Sequence, residues 1–404
     1  VTGGAGTRED EAFGTYLARV DEPYRTAQTE LKRWRDAEND LVNATREIMV
    51  MRELPERRPT YLLKRGAYDS PAEPVEPNVP ERIMPFAPEL PRNRLGFARW
   101  VTDPRNPLTS RVAVNRAWKQ HFGRGLVNTL NDFGAQGQLP TNPSLLDWLA
   151  GEFVKSGWDL KALHKLIAMS ATYQQVSEAS PELTARDPEN RLLARGPKHR
   201  LSAEQIRDEA LVISGLLNPQ MGGPSVKPYQ PAGVWEEAGT GKTYTQDHGD
   251  KLYRRSLYTF WRRTAPPPSM LSFDAVTREV CIANREVTAT PLQALVLMND
   301  PQFLEAARVL AESLLRTPSP SLESRLDQGF REVTGRSPQP KEQEILRRLY
   351  HEQHDYFRGK PEAAAQLLKA GERPADVALP ATELAAMTLV VSTLMNHDEF
   401  VMKR

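Results

Sequence analysis

Thirty-three prolines are spread through 404 residues, and their placement limits this chain more than any other feature. Each proline fixes φ and deletes an amide donor, so a dense run can enter neither a helix interior nor the middle of a sheet. Pro71, Pro74, Pro77, Pro80, Pro85, Pro88 and Pro91 form one such run, and Pro266, Pro267 and Pro268 form another. The first holds little glycine or serine, so it reads as an extended strap over a surface rather than a loose linker. Between the straps, apolar residues recur at helical spacing. The fold class expected is mainly α: multi-helix globular domains with a few short strands, long proline-rich straps and an N-terminal strut helix.

Five segments follow from this punctuation. Residues 1–56 hold the strut helix and the remnant of an upstream region, and 57–91 a short strand leading into the strap. Residues 92–217 are a helical block, 218–290 an irregular excursion with a basic-aromatic strand, and 291–404 a second helical block. The strut is expected over 24–50, with Leu31, Trp34, Leu41 and Ile48 on a narrow stripe suited to a single partner face. In the first block, Pro107 opens a helix to about Phe122, stopped by Gly123 and Gly125. Asn142 caps a helix closed by Gly157, a further helix covers 159–175, and Ser202 heads another carrying Ile206, Ala210 and Ile213. The second block starts with one helix over 291–315, followed by helices near 321–334, 340–356, 361–371 and 379–396.

Composition narrows function mainly by exclusion. Lys plus Arg number 53 against 52 Asp plus Glu, so no overall field draws the chain to nucleic acid or to an acidic membrane. No apolar run reaches the roughly 18 residues of a membrane span. The single cysteine, Cys281, excludes an internal disulfide, a cysteine-built metal centre and the Cys-x-x-Cys-His motif that attaches a c-type haem. It is expected to be buried and inert. The start, Val1-Thr2-Gly3, has neither Met nor a signal pattern and reads as an internal or trimmed end.

Several constellations could carry chemistry. Gly239-Thr240-Gly241-Lys242-Thr243 imitates the end of a phosphate loop, but Glu236 stands where the pattern needs its first glycine. His351 and His354 share a helix face without a third ligand, and no metal site is expected. Tyr253 to Arg263 alternates arginines with aromatics. Arg254, Arg255 and Tyr258, with Arg278 and Arg285 downstream, are the candidate ligands for an anion. The bland alternative is a buried strand whose arginines pair with Asp274, Glu279 or other acids. The candidate acid–base groups are His121, Asp132, His164, Asp274 and Glu279. Among apolar helical residues, His121 and His164 also suit hydrogen-bonded core positions.

A long ordered series then becomes familiar. It includes Asn106-Pro107-Leu108-Thr109-Ser110-Arg111-Val112, Phe122-Gly123-Arg124-Gly125-Leu126-Val127, Asp132-Phe133-Gly134 and Leu145-Leu146-Asp147-Trp148-Leu149-Ala150. Ser170-Ala171-Thr172-Tyr173, Arg254-Arg255-Ser256-Leu257-Tyr258, Arg278-Glu279-Val280-Cys281 and Thr290-Pro291-Leu292-Gln293 continue it. Over roughly residues 48–404 the chain resembles the C-terminal uncharacterised domain of planctomycete surface proteins that commonly carry a cytochrome c module upstream. Asn142, Gln174 and Ala289 depart from that family's usual residues.

The resemblance implies export to the periplasm or cell surface, an upstream or separate cytochrome-type partner, and a c-type haem on that partner rather than on this chain. It leaves the activity open. An accessory or scaffold module, docking a haem domain or partner chain, is the leading expectation. An enzyme or binding module for acidic or sulfated polysaccharide is the alternative, and whether the chain is an enzyme stays open between them. Two carboxyls about 5–10 Å apart in an open cleft would favour the alternative.

Overall fold

The computed structural model describes residues 8–45, 48–239 and 241–403. Val1-Thr2-Gly3, Thr240 of the phosphate-loop imitation and part of the expected 24–50 strut therefore lie outside the described residues. The protein is mainly α-helical, with four short strands in two antiparallel pairs among the described residues. Two compact units are distinguishable, Val1–Val79 with Phe86–Ala98, and Pro80–Pro85 with Arg99–Arg404.

In the first unit, helices Arg8–Arg19 and Glu22–Ala44 precede a hairpin of strands Thr60–Leu63 and Pro71–Val75. The strut is the second helix. Asp21 caps it by accepting from the Tyr24 amide at 2.8 Å, and a proline in its first turn costs no hydrogen bond. None of its described residues is buried, and Trp34 and Leu41 remain 65% and 72% exposed. The apolar stripe thus has no partner face within the described residues. The start of the strap is a strand: Pro74 stands opposite Tyr61, and Pro71 opposite Leu63. Proline is tolerated there because the strand lies at a sheet edge.

The second unit holds two apolar cores. The smaller joins helices Thr109–Phe122, Pro143–Lys155 and Leu160–Ala168 through Val114, Trp118, Leu146, Phe153, Leu163 and Ile167. Trp118 and Phe122, one helical turn apart, stack with ring centroids 4.1 Å apart. Gly123 then takes φ +73 and ends the helix in the left-handed conformation. Past the turn, the buried Asn115 side chain both donates to Val127 O and accepts from Val127 N, at 2.8 and 2.9 Å. Asn142 stands at the start of its helix, but its side chain makes no capping hydrogen bond, contrary to expectation.

The larger core centres on helix Ala381–Met395, apolar nearly all round and accordingly enclosed. Helix Pro301–Arg316 packs on it with Ala306, Ala307 and Ala311 fully buried, small residues that allow close approach. The single helix expected over 291–315 is two, Pro291–Asn299 and Pro301–Arg316. Pro301 has no amide to continue the first, and Asp300 caps the second by accepting from the Gln302 amide.

Helix Pro301–Arg316 also carries a buried ionic row that sequence reading missed. Arg308 binds Glu312 at 2.5 Å and the carbonyl of Arg373. Glu305 accepts from Tyr229 Oη at 3.0 Å, Tyr253 Oη at 2.9 Å and the Arg373 amide at 2.7 Å. Each lone pair so satisfied reduces the cost of burying the charge. The row fastens residues 218–253 and the loop after Gly371 to the core. The long excursion is therefore anchored.

The strand expected over Tyr253 to Trp261 is absent. Its place is taken by a 3₁₀ turn, Ser256–Tyr258, flanked by single bridges from Asn218 to Arg254 and from Val226 to Thr259. The cause is Arg207, on helix Ala203–Ile213. Its buried guanidinium collects the carbonyls of Leu252 and Arg254 and the Ser256 hydroxyl, which curls the backbone around it.

Candidate functional site

A cleft of about 400 Å³ opens in the second unit where the smaller core meets residues 199–205 and 273–287. Lys119, on the last turn of helix Thr109–Phe122, forms one wall. His199 and Arg200 cross the floor. Glu204, Asp274 and Arg285 form the far side. The floor is positioned by a two-residue ladder in which His199 pairs with Lys403 and Arg200 with Met402, so the end of the described chain braces the cleft. Immediately after it, Ser202 and Gln205 form a reciprocal capping box that starts helix Ala203–Ile213 and aims Glu204 inward.

The charges on the far side are spent on each other. Arg285 holds Glu204 with two parallel bonds, 2.7 and 3.1 Å, the strong geometry for a guanidinium and a carboxylate. Asp274 is bound by Arg200, by the Thr288 amide at 2.8 Å and by the Thr288 hydroxyl at 2.9 Å. It sits at φ +58, a left-handed conformation that aspartate tolerates better than most residues. Burial pushes both carboxyls upward, yet the hydrogen bonds from Thr288 and Arg200 on one and Arg285 on the other outweigh it. Both therefore stay below the usual carboxylate range.

The opposite wall is basic. Lys119 reaches Asn284 across the cleft. His199 is pressed against Gly123: a Cβ there would lie 2.7 Å from the His199 Cβ, so glycine is required by both space and backbone. Behind it, His121 Nε2 and His164 Nδ1 are 2.8 Å apart, with Tyr173 edge-on to His121 at 5.2 Å and Lys403 5.1 Å over the Tyr173 ring. Burial lowers the affinity of His199 for its proton, and the charges of Lys403, His121 and Lys119 add to this. His121 is lowered by burial and by His164 and Lys403, and Lys119 by burial.

The residues singled out from sequence are distributed unevenly around this cleft. Asp274 and Arg285 line it. His121 and His164 bond to one another behind it. Arg278, at φ +63, lies over the Trp261 ring at 4.5 Å and close enough to Glu204 to favour its charge. Arg254 is committed elsewhere: buried, it donates to the carbonyls of Gln220, Gly222 and Pro224 and stacks on Tyr258, 3.8 Å from the ring centre. Arg255 reaches Asp208 at 3.5 Å. The arginines do pair with acids or carbonyls, but mostly with groups distant in sequence. Asp132 caps its own turn by accepting from the Gly134 amide, and Glu279 is exposed on the strap that leads into the cleft at Ile282. Cys281 is exposed on the same strap, not buried, because residues 277–282 lie in the open instead of entering the core. Lys119, His199, Arg200 and Glu204 were missed as site residues. The one signal, for His199 and Arg200, was the basic triplet Lys198-His199-Arg200 separated by a single leucine from the capping Ser202.

Residues 93–350, more than half of the chain, match the family PSD1, described as a protein of unknown function (DUF1553). The chain belongs to this family. No curated protein and no solved structure matches it. The PSD1 region contains both walls of the cleft, the histidine pair and the arginine-locked acids, while Lys403, which braces the floor, lies beyond it. Among the described residues no helix is long and apolar enough to cross a membrane, and no group of three or more His, Cys, Asp or Glu is arranged to hold a metal ion.

Proposed function

We propose that this PSD1-family chain is an accessory module of an exported envelope protein, docking a cytochrome-type domain or partner chain rather than transforming a substrate. What supports this reading is the state of the cleft's carboxylates. Glu204 and Asp274 are each engaged by an arginine and held in the charged form. A general acid must keep its proton near working pH, and a general base must have a free lone pair aimed at substrate. Neither residue meets those needs. A pre-set polar surface of satisfied ion pairs suits recognition instead, since nothing in it must reorganise when a partner arrives. A c-type haem in such an assembly belongs on the partner, because Cys281 is the only cysteine here.

The test is isolation of the native assembly from its envelope fraction through a tag on this chain, followed by a haem stain. A haem-bearing chain co-purifying in fixed ratio is expected. A partner-free monomer that turns over a small substrate at full rate would end the proposal. A second reading, recognition of acidic or sulfated polysaccharide, is favoured by the basic wall formed by Lys119 and His199. A glycan array on which the chain retains no anionic polymer would remove it.

A further inference from the structure

The basic wall contains more positive and titratable nitrogen than its surroundings balance. His121, His164, His199 and Lys119 come from helix Thr109–Phe122, helix Leu160–Ala168 and the His199–Arg200 strand. Among the described residues none of the four forms an ion pair with a carboxylate. The acids of the same cleft do not fill the gap, since Glu204 and Asp274 are neutralised by Arg285 and Arg200, which leaves Glu286 on the rim. The His199 Nδ1 atom is buried with no hydrogen-bond partner. A proton there would have no acceptor, which favours the tautomer with the proton on Nε2, and His199 is one of the residues that line the cleft. Lys119 supplies ammonium donors to the same cleft, and the His121–His164 pair lies behind it.

We propose that Lys119 and His199, backed by the His121–His164 pair, form a binding site for a sulfate-type oxyanion, either a sulfate ester on a polysaccharide or the free ion. Lys119 and His199 come from separate elements, and an ammonium beside an imidazole N–H suits a tetrahedral acceptor better than a planar carboxylate, whose natural partner is a guanidinium fork. Burial weakens the hold of His121 on its proton and an anion nearby offsets this, so binding takes up a proton there and strengthens as pH falls, while His199 donates as the neutral tautomer. The groups that set this dependence are Lys119 and His121 on one helix, His164 on the next, Tyr173 edge-on to His121, His199 and Lys403 on the ladder, and Glu286 at the rim. The site is independent of the docking role, and either can fail alone.

Calorimetry on the whole chain decides the matter, using sodium sulfate, a sulfated hexasaccharide and its desulfated counterpart at constant ionic strength. Sulfate is expected to bind about tenfold more tightly near pH 5.5 than near pH 7.5. Lys119→Gln and His199→Gln should each weaken it about tenfold. Tighter binding of the sulfated hexasaccharide than of free sulfate identifies a polysaccharide ester as the ligand; equal binding identifies the free ion. Lys119 lies near the surface, so its variant keeps the test open if His199→Gln fails to fold. Histidine ring resonances give a second readout: sulfate should move His121, His164 and His199 and leave His351 and His354 in place. No heat with any sulfate at the lower pH, or ring shifts confined to His351 and His354, refutes the site.

Discussion

Arg207 Nε donates to Gln302 Oε1 at 2.6 Å inside the larger core, joining two helices whose partners are 95 residues apart in sequence. The same guanidinium serves the carbonyls of Leu252 and Arg254 and the Ser256 hydroxyl, so one side chain fixes three segments. Replacing it with an apolar residue of similar length leaves these acceptors buried without donors. Arg207→Met is therefore expected to lower stability by about 3–5 kcal/mol, and Gln302→Leu by less, because the remaining bonds of Arg207 survive. Urea unfolding followed by tryptophan fluorescence measures both. Equal, sub-kilocalorie effects would show that the carbonyls find water instead.

Two glycines separate backbone strain from steric conflict. Gly215 and Gly371 both have positive φ, +74 and +85. A Cβ at Gly215 meets nothing within 4 Å, whereas one at Gly371 would stand 2.3 Å from Glu305 Cδ. Glu305 cannot retreat, being fully buried and tied to two tyrosines and a backbone amide. Gly215→Ala is expected to cost about 1 kcal/mol and Gly371→Ala about 3–4 kcal/mol. Thermal melting of the two variants side by side tests the difference, and matching losses would contradict it.

Glu209 offers a pH test. It lies on helix Ala203–Ile213, makes no hydrogen bond or ion pair among the described residues, and is pushed by burial from 4.5 up to about 7. The folded state thus holds this proton more tightly than the unfolded state. Its stabilising effect is complete below the unfolded value and is lost as pH rises through the folded one. Glu209→Gln should leave stability unchanged near pH 4 and raise it by about 2 kcal/mol near pH 8. Denaturant midpoints across that range give the answer, and a gain independent of pH would assign the effect to packing.

The signals that could be read in advance were local ones. Ser202 announces the head of a helix, and Gly123 after an amphipathic run announces a stop; both are found. The helices after Ser321 and Pro340 start where turn chemistry puts them. What escaped was set by partners distant in sequence. Nothing around Tyr253 says that Arg207 will bend the chain there, and nothing around Glu305 announces Tyr229 and Tyr253. The cleft escaped for the same reason: its floor is a two-residue ladder between His199 and Lys403, too short for any periodicity to register. Whether a candidate arginine is free or spent depends on carbonyls and carboxylates that only the fold delivers.

Cys281 provides the most direct probe of the cleft. The thiol is exposed on the strap whose neighbouring residues, Ile282 and Ala283, line the opening. A thiol reagent should therefore modify it stoichiometrically in the native state, with no denaturant, because access rather than unfolding limits the reaction. Lys119 bonds to Asn284 on the same strap, so an anion that recruits the Lys119 ammonium competes with that bond and changes the strap's hold on the wall. Sulfate near pH 5.5 is expected to alter the labelling rate about two- to threefold, and the change should vanish in Lys119→Gln. Labelling that begins only in denaturant would place the thiol inside the protein and contradict the path of the strap. A rate that ignores sulfate in the unmodified chain would show that strap and wall are not coupled.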